Sequence, residues 1–203
     1  MRKIIIKNYG GITTLELMIA VSIVAILLTL GIPSFSRTID KQRLTGACHE
    51  VFEQLAYARS SAVKINKSIS ISFKPTPFFF DQNEDGVTEP YNWCIGLNDS
   101  SVSGCNCAGS IEEVIKCTVN ERQEIVRFSS QSHTTIYQND VTFSGHDKTT
   151  FNSRDGTASA GHVSLASANW ACKVTLNSMG RIRFGKSKNG QFVVPLDQIS
   201  SLE

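Results

Sequence analysis

Apolar positions in this chain are continuous at first, then helical in spacing, then alternating. From Leu15 to Ile32 the run is broken only by Glu16 and two small hydroxyl residues, a length near the minimum for a bilayer span. It continues through Pro33 into a segment, 34–66, where Phe35, Ile39, Leu44, Cys48, Val51, Phe52, Leu55, Ala58, Ala62 and Ile65 recur at helical intervals. After Lys67 the period becomes two: Ile69, Ile71 and Phe73 alternate with serines, which predicts a strand. Further strands are predicted at Trp93–Leu97, Glu124–Ser129, Thr134–Gln138, Val141–Phe143, Thr149–Asn152, His162–Ala166, Cys172–Leu176, Ile182–Phe184 and Phe192–Val194. Turn signals separate them, among them Asp85-Gly86, Asp155-Gly156 and Asn189-Gly190.

The predicted fold class is therefore α+β: one long N-terminal helix, transmembrane in its first half, packed on a C-terminal antiparallel β-sheet domain. Residues 12–33 form the membrane and assembly half of the helix, 34–66 its amphipathic half, and 67–203 the β-rich globular part. The amphipathic stripe is predicted to face the sheet rather than a second helix, because no heptad with e/g charge pairs is sustained. At 203 residues the chain suffices for one anchored domain with a real core.

Charge changes this picture only locally. Removing Arg2, Lys3 and Lys7 with the first eleven residues takes the 20 Lys and Arg to 17 against 18 Asp and Glu, so the formal +2 becomes −1. Whole-chain charge thus carries no argument for nucleic-acid binding. All six cysteines (Cys48, Cys94, Cys105, Cys107, Cys117, Cys172) follow the apolar run, and an even count in an exported segment favours disulfides. With no Cys-x-x-Cys pair among them, zinc is disfavoured. Six cysteines allow fifteen connectivities. Cys48 lies on the apolar stripe and is expected to staple the helix to the sheet through Cys172, whereas Cys105 and Cys107 are too close to pair with each other. Trp93 and Trp170, each within two residues of a cysteine, are expected to pack in the core.

The N-terminus is more than a secretory signal. No small-x-small site with polar sequence follows the apolar run, and Glu16 stands where an unpaired carboxylate costs about several kcal/mol in lipid. Gly11-Ile12-Thr13-Thr14-Leu15-Glu16-Leu17-Met18 resembles the class III signal of type IV prepilins, and Pro33 matches the proline that kinks such stems. The resemblance implies that residues 1–11 are a leader cut between Gly11 and Ile12 by a prepilin peptidase, and that Ile12 is then N-methylated. It also implies that Glu16 pairs with a neighbouring subunit's N-terminus during assembly. Ile12 departs from the Phe that many relatives carry.

Leu55-Ala56-Tyr57-Ala58-Arg59-Ser60-Ser61-Ala62-Val63-Lys64 resembles the helix end of the FimT/GspH family of minor pilins and pseudopilins. The Phe151-Asn152-Ser153-Arg154-Asp155-Gly156 turn and the Gly180-Arg181 pair fit the same family, while Phe78 to Lys116 does not match. No acidic residue lies between Asp155 and Asp197, although Lys173, Arg181, Arg183, Lys186 and Lys188 all do. On a strand, Arg181 and Arg183 would share one face about 6–7 Å apart, and the planar guanidinium suits phosphate oxygens. Gly180-Arg181-Ile182-Arg183 is similar to the GRxR DNA-binding motif of FimT-type pilins active in natural transformation; Lys186 and Lys188 join it by charge alone. A solvated edge strand whose charges deter aggregation is the plainer alternative. DNA bound here would be double-stranded, held through phosphates and strongly salt-dependent.

Asp81, Asn83, Asp85 and Gly86 match the first half of a calcium loop, but position twelve is Asn92, so a polar turn is the better reading and no cofactor is required. The histidines (His49, His133, His146, His162) have no metal-ligand spacing, and no nucleophile motif or P-loop is present, which argues against catalysis. The resemblance implies a single-pass protein of the inner membrane with a periplasmic ectodomain, moving into a pilus with other major and minor pilins. It leaves three roles: DNA uptake in natural transformation, a GspH-like pseudopilin of type II secretion, or a structural, pilus-priming minor pilin.

Overall fold

The computed structural model describes residues 12–74, 78–80, 89–99, 105–129, 137–143, 147–187 and 190–202. They fall into two compact units, Met1–Ile39 and Asp40–Glu203. Helix α1 (Thr14–Ile65) begins in the first and ends in the second.

In the first unit Thr13 caps α1. Its hydroxyl accepts the Glu16 N–H at 3.3 Å and its carbonyl accepts the Leu17 N–H at 3.1 Å, so Thr13 and Glu16 occupy the ends of a Thr-x-x-Glu capping box. Every side chain from Ile12 to Leu27 is exposed. The helix runs unbroken through Pro33. Among the described residues, no helix is long and apolar enough to cross a membrane.

In the second unit the apolar stripe of α1 takes hold at Leu44 and continues through Ala47, Cys48, Val51, Leu55, Ala58 and Ala62, all buried. Phe35, predicted on the same stripe, is exposed. The helix ends at Asn66, which turns the chain with φ +52°, a left-handed conformation that asparagine tolerates well.

The strands are β1 (Ile69–Lys74), β2 (Phe78–Phe80), β3 (Glu89–Asp99), β4 (Thr118–Val119), β5 (Arg122–Gln123), β6 (Ile125–Ser129), β7 (Tyr137–Phe143), β8 (Lys148–Phe151), β9 (Gly161–Ala166), β10 (Trp170–Leu176), β11 (Ile182–Phe184) and β12 (Val193–Pro195). One sheet has the order β2-β3-β1-β8 with β6 also on β3; another runs β11-β10-β9-β7 with β12 also on β10; β4 and β5 form a small hairpin. All pairings are antiparallel. The inward residues of β1 (Ile69, Ile71, Phe73) join Trp93, Ile95, Leu97, Phe143, Phe151, Val163, Leu165 and Val174 and the helix stripe in one core.

The two strands predicted across Thr134–Phe143 are one strand, β7, over its described length. A register shift between Gln138 and Asp140 breaks the alternation without ending the pairing to β9. The short strands β2, β4 and β5, helix α2 (Ile111–Val114) and the 3-10 turn Leu196–Ser201 have no periodic signal behind them. Cys48 is joined to Cys172, Cys94 to Cys107, and Cys105 to Cys117. The last two cross over Gly96, where a Cβ would lie 2.8 Å from the Cys105 sulfur. Trp93 is fully buried, as its sequence position suggested; Trp170 is only half-buried and carries the Lys41 ammonium 4.6 Å above its ring.

Candidate nucleic-acid interface

Strands β10 and β11 form a hairpin with Val174 opposite Phe184, Thr175 opposite Arg183 and Leu176 opposite Ile182. Its turn is closed by Gly180 N–H to the Asn177 carbonyl (2.9 Å), Asn177 N–H to the Arg181 carbonyl (3.1 Å), and Arg181 N–H to the Asn177 side-chain oxygen (2.8 Å). Gly180 is buried at φ +72°, and a Cβ there would strike the Gly156 carbonyl oxygen. Only glycine meets both demands.

Gly156, also at positive φ (+67°), sits under the same guanidinium as Gly180. A Cβ on either would come within about 3.2 Å of Arg59 Nε. Arg59 reaches from α1 and donates to the Met179 carbonyl at 3.3 Å. Ala158 N–H donates to the Ser178 carbonyl at 3.1 Å. Segments far apart in the chain (the helix end, the 152–158 turn and the GRxR turn) thus meet and hydrogen-bond to one another at the base of the hairpin.

Arg181 and Arg183 are exposed and Ile182 between them is half-buried; Arg183 lies on the outer side of β11, and Arg181 belongs to the turn just before the strand. Among the described residues neither pairs with a carboxylate. The order β11-β10-β9-β7 leaves β11 at the edge of its sheet. Phe184 points the other way, stacked on Phe52 at 4.8 Å and in contact with Phe192 (5.0 Å) and His49 (4.9 Å). It anchors the strand to the helix and offers no face for a base.

Lys186 is exposed just past the strand. Lys173 is half-buried, with Nζ 3.5 Å from the Leu202 carbonyl, and alternation puts it on the same face of β10 as Thr175, the partner of Arg183. Arg154 and Asp155 are exposed in the neighbouring turn. The Asp155 carboxylate accepts from the Thr157 N–H (3.0 Å) and hydroxyl (2.7 Å), and these bonds hold it below the ordinary 3.8.

The other predicted positions are scattered. Ile12 is 75% exposed and Glu16 is exposed near the start of α1. Gly11, Lys188, His133, His146 and the calcium candidates Asp81, Asn83 and Asp85 lie outside the described residues. Among the described residues, no group of three His, Cys, Asp or Glu could hold a metal ion. Arg59 and Gly156 are the site residues whose part sequence reasoning missed. Nothing local to a helix end or a turn reports that they meet across 97 residues of chain.

The family model described as type II transport protein GspH matches residues 47–180. Two crystal structures of the Pseudomonas aeruginosa PAO1 type IV minor pilin FimU are similar at 16% and 17% identity, with TM-scores of 0.43 and 0.41. Each covers 70% of this chain, and 88% and 91% of FimU respectively. No curated protein matches the sequence.

Proposed function

The chain belongs to the GspH family of type II transport proteins, and from that premise we propose that it is a minor pilin that binds duplex DNA non-specifically through β11 during DNA uptake in natural transformation. The observation that carries the reading is the exposed pair Arg181, in the turn just before β11, and Arg183, on that edge strand, neither of which pairs with a carboxylate among the described residues. Guanidinium forks match phosphate oxygens, and the stretch from Gly156 to Leu196 holds no acid, although the exposed Asp155 adjoins it.

Anchoring is part of the proposal, and the exposed apolar side chains between Ile12 and Leu27 support it. An apolar helix exposed on all sides from Ile12 to Leu27 needs lipid or neighbouring helices around it. In this reading a prepilin peptidase cuts between Gly11 and Ile12, Ile12 is N-methylated, and the stem holds the protein in the inner membrane until it enters a filament of pilins. Glu16 then meets the α-amino group of a neighbouring subunit, which removes the cost of a lone carboxylate in lipid.

The family's own description favours a second reading, a pseudopilin of type II secretion in which the arginines are a solvated edge. A mobility shift of the full chain, kept in mild detergent, on duplex DNA at several salt concentrations separates the two. DNA uptake predicts binding that weakens with salt. In Arg181→Gln/Arg183→Gln, the slope of log K against log[salt] should shrink by about 2, roughly one unit per lost phosphate contact. Absence of binding at low salt would leave the secretion or pilus-priming role.

A further inference from the structure

Beside the arginine turn lies an open groove of about 420 Å³ lined by Ser68, Thr150, Asn152, Thr157, Ser159 and Ser178. Thr150 brings the outer face of the β1–β8 ladder to its edge. On that face Ser70 stands opposite Thr150 with the hydroxyls 2.8 Å apart, and Ser72 stands opposite Lys148. Alternation explains the composition: Ile69, Ile71, Thr149 and Phe151 turn inward, leaving serines, a threonine and a lysine outside. One wall is the 152–158 turn, and the Ser178 end is the GRxR turn itself.

We infer that this groove is a track for the phosphodiester backbone of the DNA held by Arg181 and Arg183, an inference that rests on the DNA-binding reading above. No acidic residue lines the groove, while Arg154, Lys148 and Arg181 are exposed around it. The Asp155 carboxylate accepts from the N–H and hydroxyl of Thr157, a lining residue, so one anion stands at the rim of the groove. Among the described residues, no hydrogen bond within the fold engages the hydroxyls of Ser68, Ser159 or Ser178. Neutral hydroxyl and amide donors between cations are the groups that contact phosphate oxygens and set register on a duplex.

Other occupants fit less well. A peptide adding as a strand needs an open backbone edge. Beside β8 that edge is already used by the Phe151–Ala158 bridge and by Asn152 N–H to the Thr157 carbonyl at 2.8 Å. No aromatic ring lines the groove to stack on a base or pack on a sugar.

The test uses the full chain in mild detergent, with a 30-base-pair duplex as probe, and two variants. Thr150→Val/Ser159→Ala/Ser178→Ala removes donors without removing charge. Its affinity should fall about tenfold at fixed salt while the salt slope stays that of the unchanged protein. Ser159→Lys should instead bind more tightly and steepen the slope by about 1. Near-ultraviolet circular dichroism of both variants excludes loss of fold. If the unchanged protein binds in a salt-dependent manner and both variants bind as it does, the groove is not part of the footprint and the arginine reading stands alone. Variants that bind DNA normally but fail to enter filaments would assign the groove to a protein neighbour and overturn the inference. If the unchanged protein binds no DNA at low salt, the underlying reading falls, and this one with it.

Discussion

Gly180 is where a single residue matters most to the candidate site. Its φ of +72° and the Gly156 carbonyl in its Cβ position leave no room for a side chain. Gly180→Ala should cost about 2 kcal/mol or more, lowering the melting temperature by roughly 4–8 °C and displacing Arg181 in its turn. Calorimetry beside the DNA mobility shift reads both effects. Asp155 offers a second residue-scale measurement. Because hydrogen bonds from Thr157 lower its folded pKa, the stability it contributes is present above the ordinary 3.8 and is lost as pH falls through the folded value. Titration of the Asp155 carboxyl by NMR should give a midpoint below 3.8, and Thr157→Val should raise it toward that value. The arginines were legible in the sequence because an i, i+2 pair after a glycine is a local pattern. The Arg59 contact was not, since its partner Met179 is 120 residues away.

At the scale of elements, the helix and most strands declared themselves by period, and the core-facing stripe from Leu44 to Ala62 matches the helical spacing. Elements that failed to announce themselves are short: two-residue β4 and β5 and four-residue α2 hold too few positions for any period to show. They are held instead by the crossed disulfides Cys94–Cys107 and Cys105–Cys117. The bond from Cys48 to Cys172 joins α1 to β10 across 124 residues. Cys48→Ala/Cys172→Ala should therefore destabilise the fold by about 3–5 kcal/mol, more than loss of the 13-residue Cys94–Cys107 loop. Urea unfolding of the two paired variants gives the comparison directly.

For the whole molecule, among the described residues the buried core lies in the second unit, which also holds all six cysteines, whereas the described side chains of the first unit up to Leu27 are exposed. A chain beginning at Asp40 should fold with all three disulfides and melt in one cooperative transition, as circular dichroism and non-reduced peptide mass mapping would show. By itself the sequence determined the order of the helix and the longer strands, the buried faces of α1 and β1, the even cysteine set and the basic character of the C-terminal hairpin. Each of these follows from composition or from periods of two and 3.6 residues along a short window. Only the tertiary structure decided the partners of Cys94, Cys105, Cys107 and Cys117, the division into two five-stranded sheets and a small hairpin, and the meeting of Arg59, Gly156 and Gly180 at the turn before Arg181. It also set a hydroxyl-lined groove beside that turn. Such contacts close loops of tens to hundreds of residues, and their free energy comes from packing and steric fit between surfaces that no local pattern encodes.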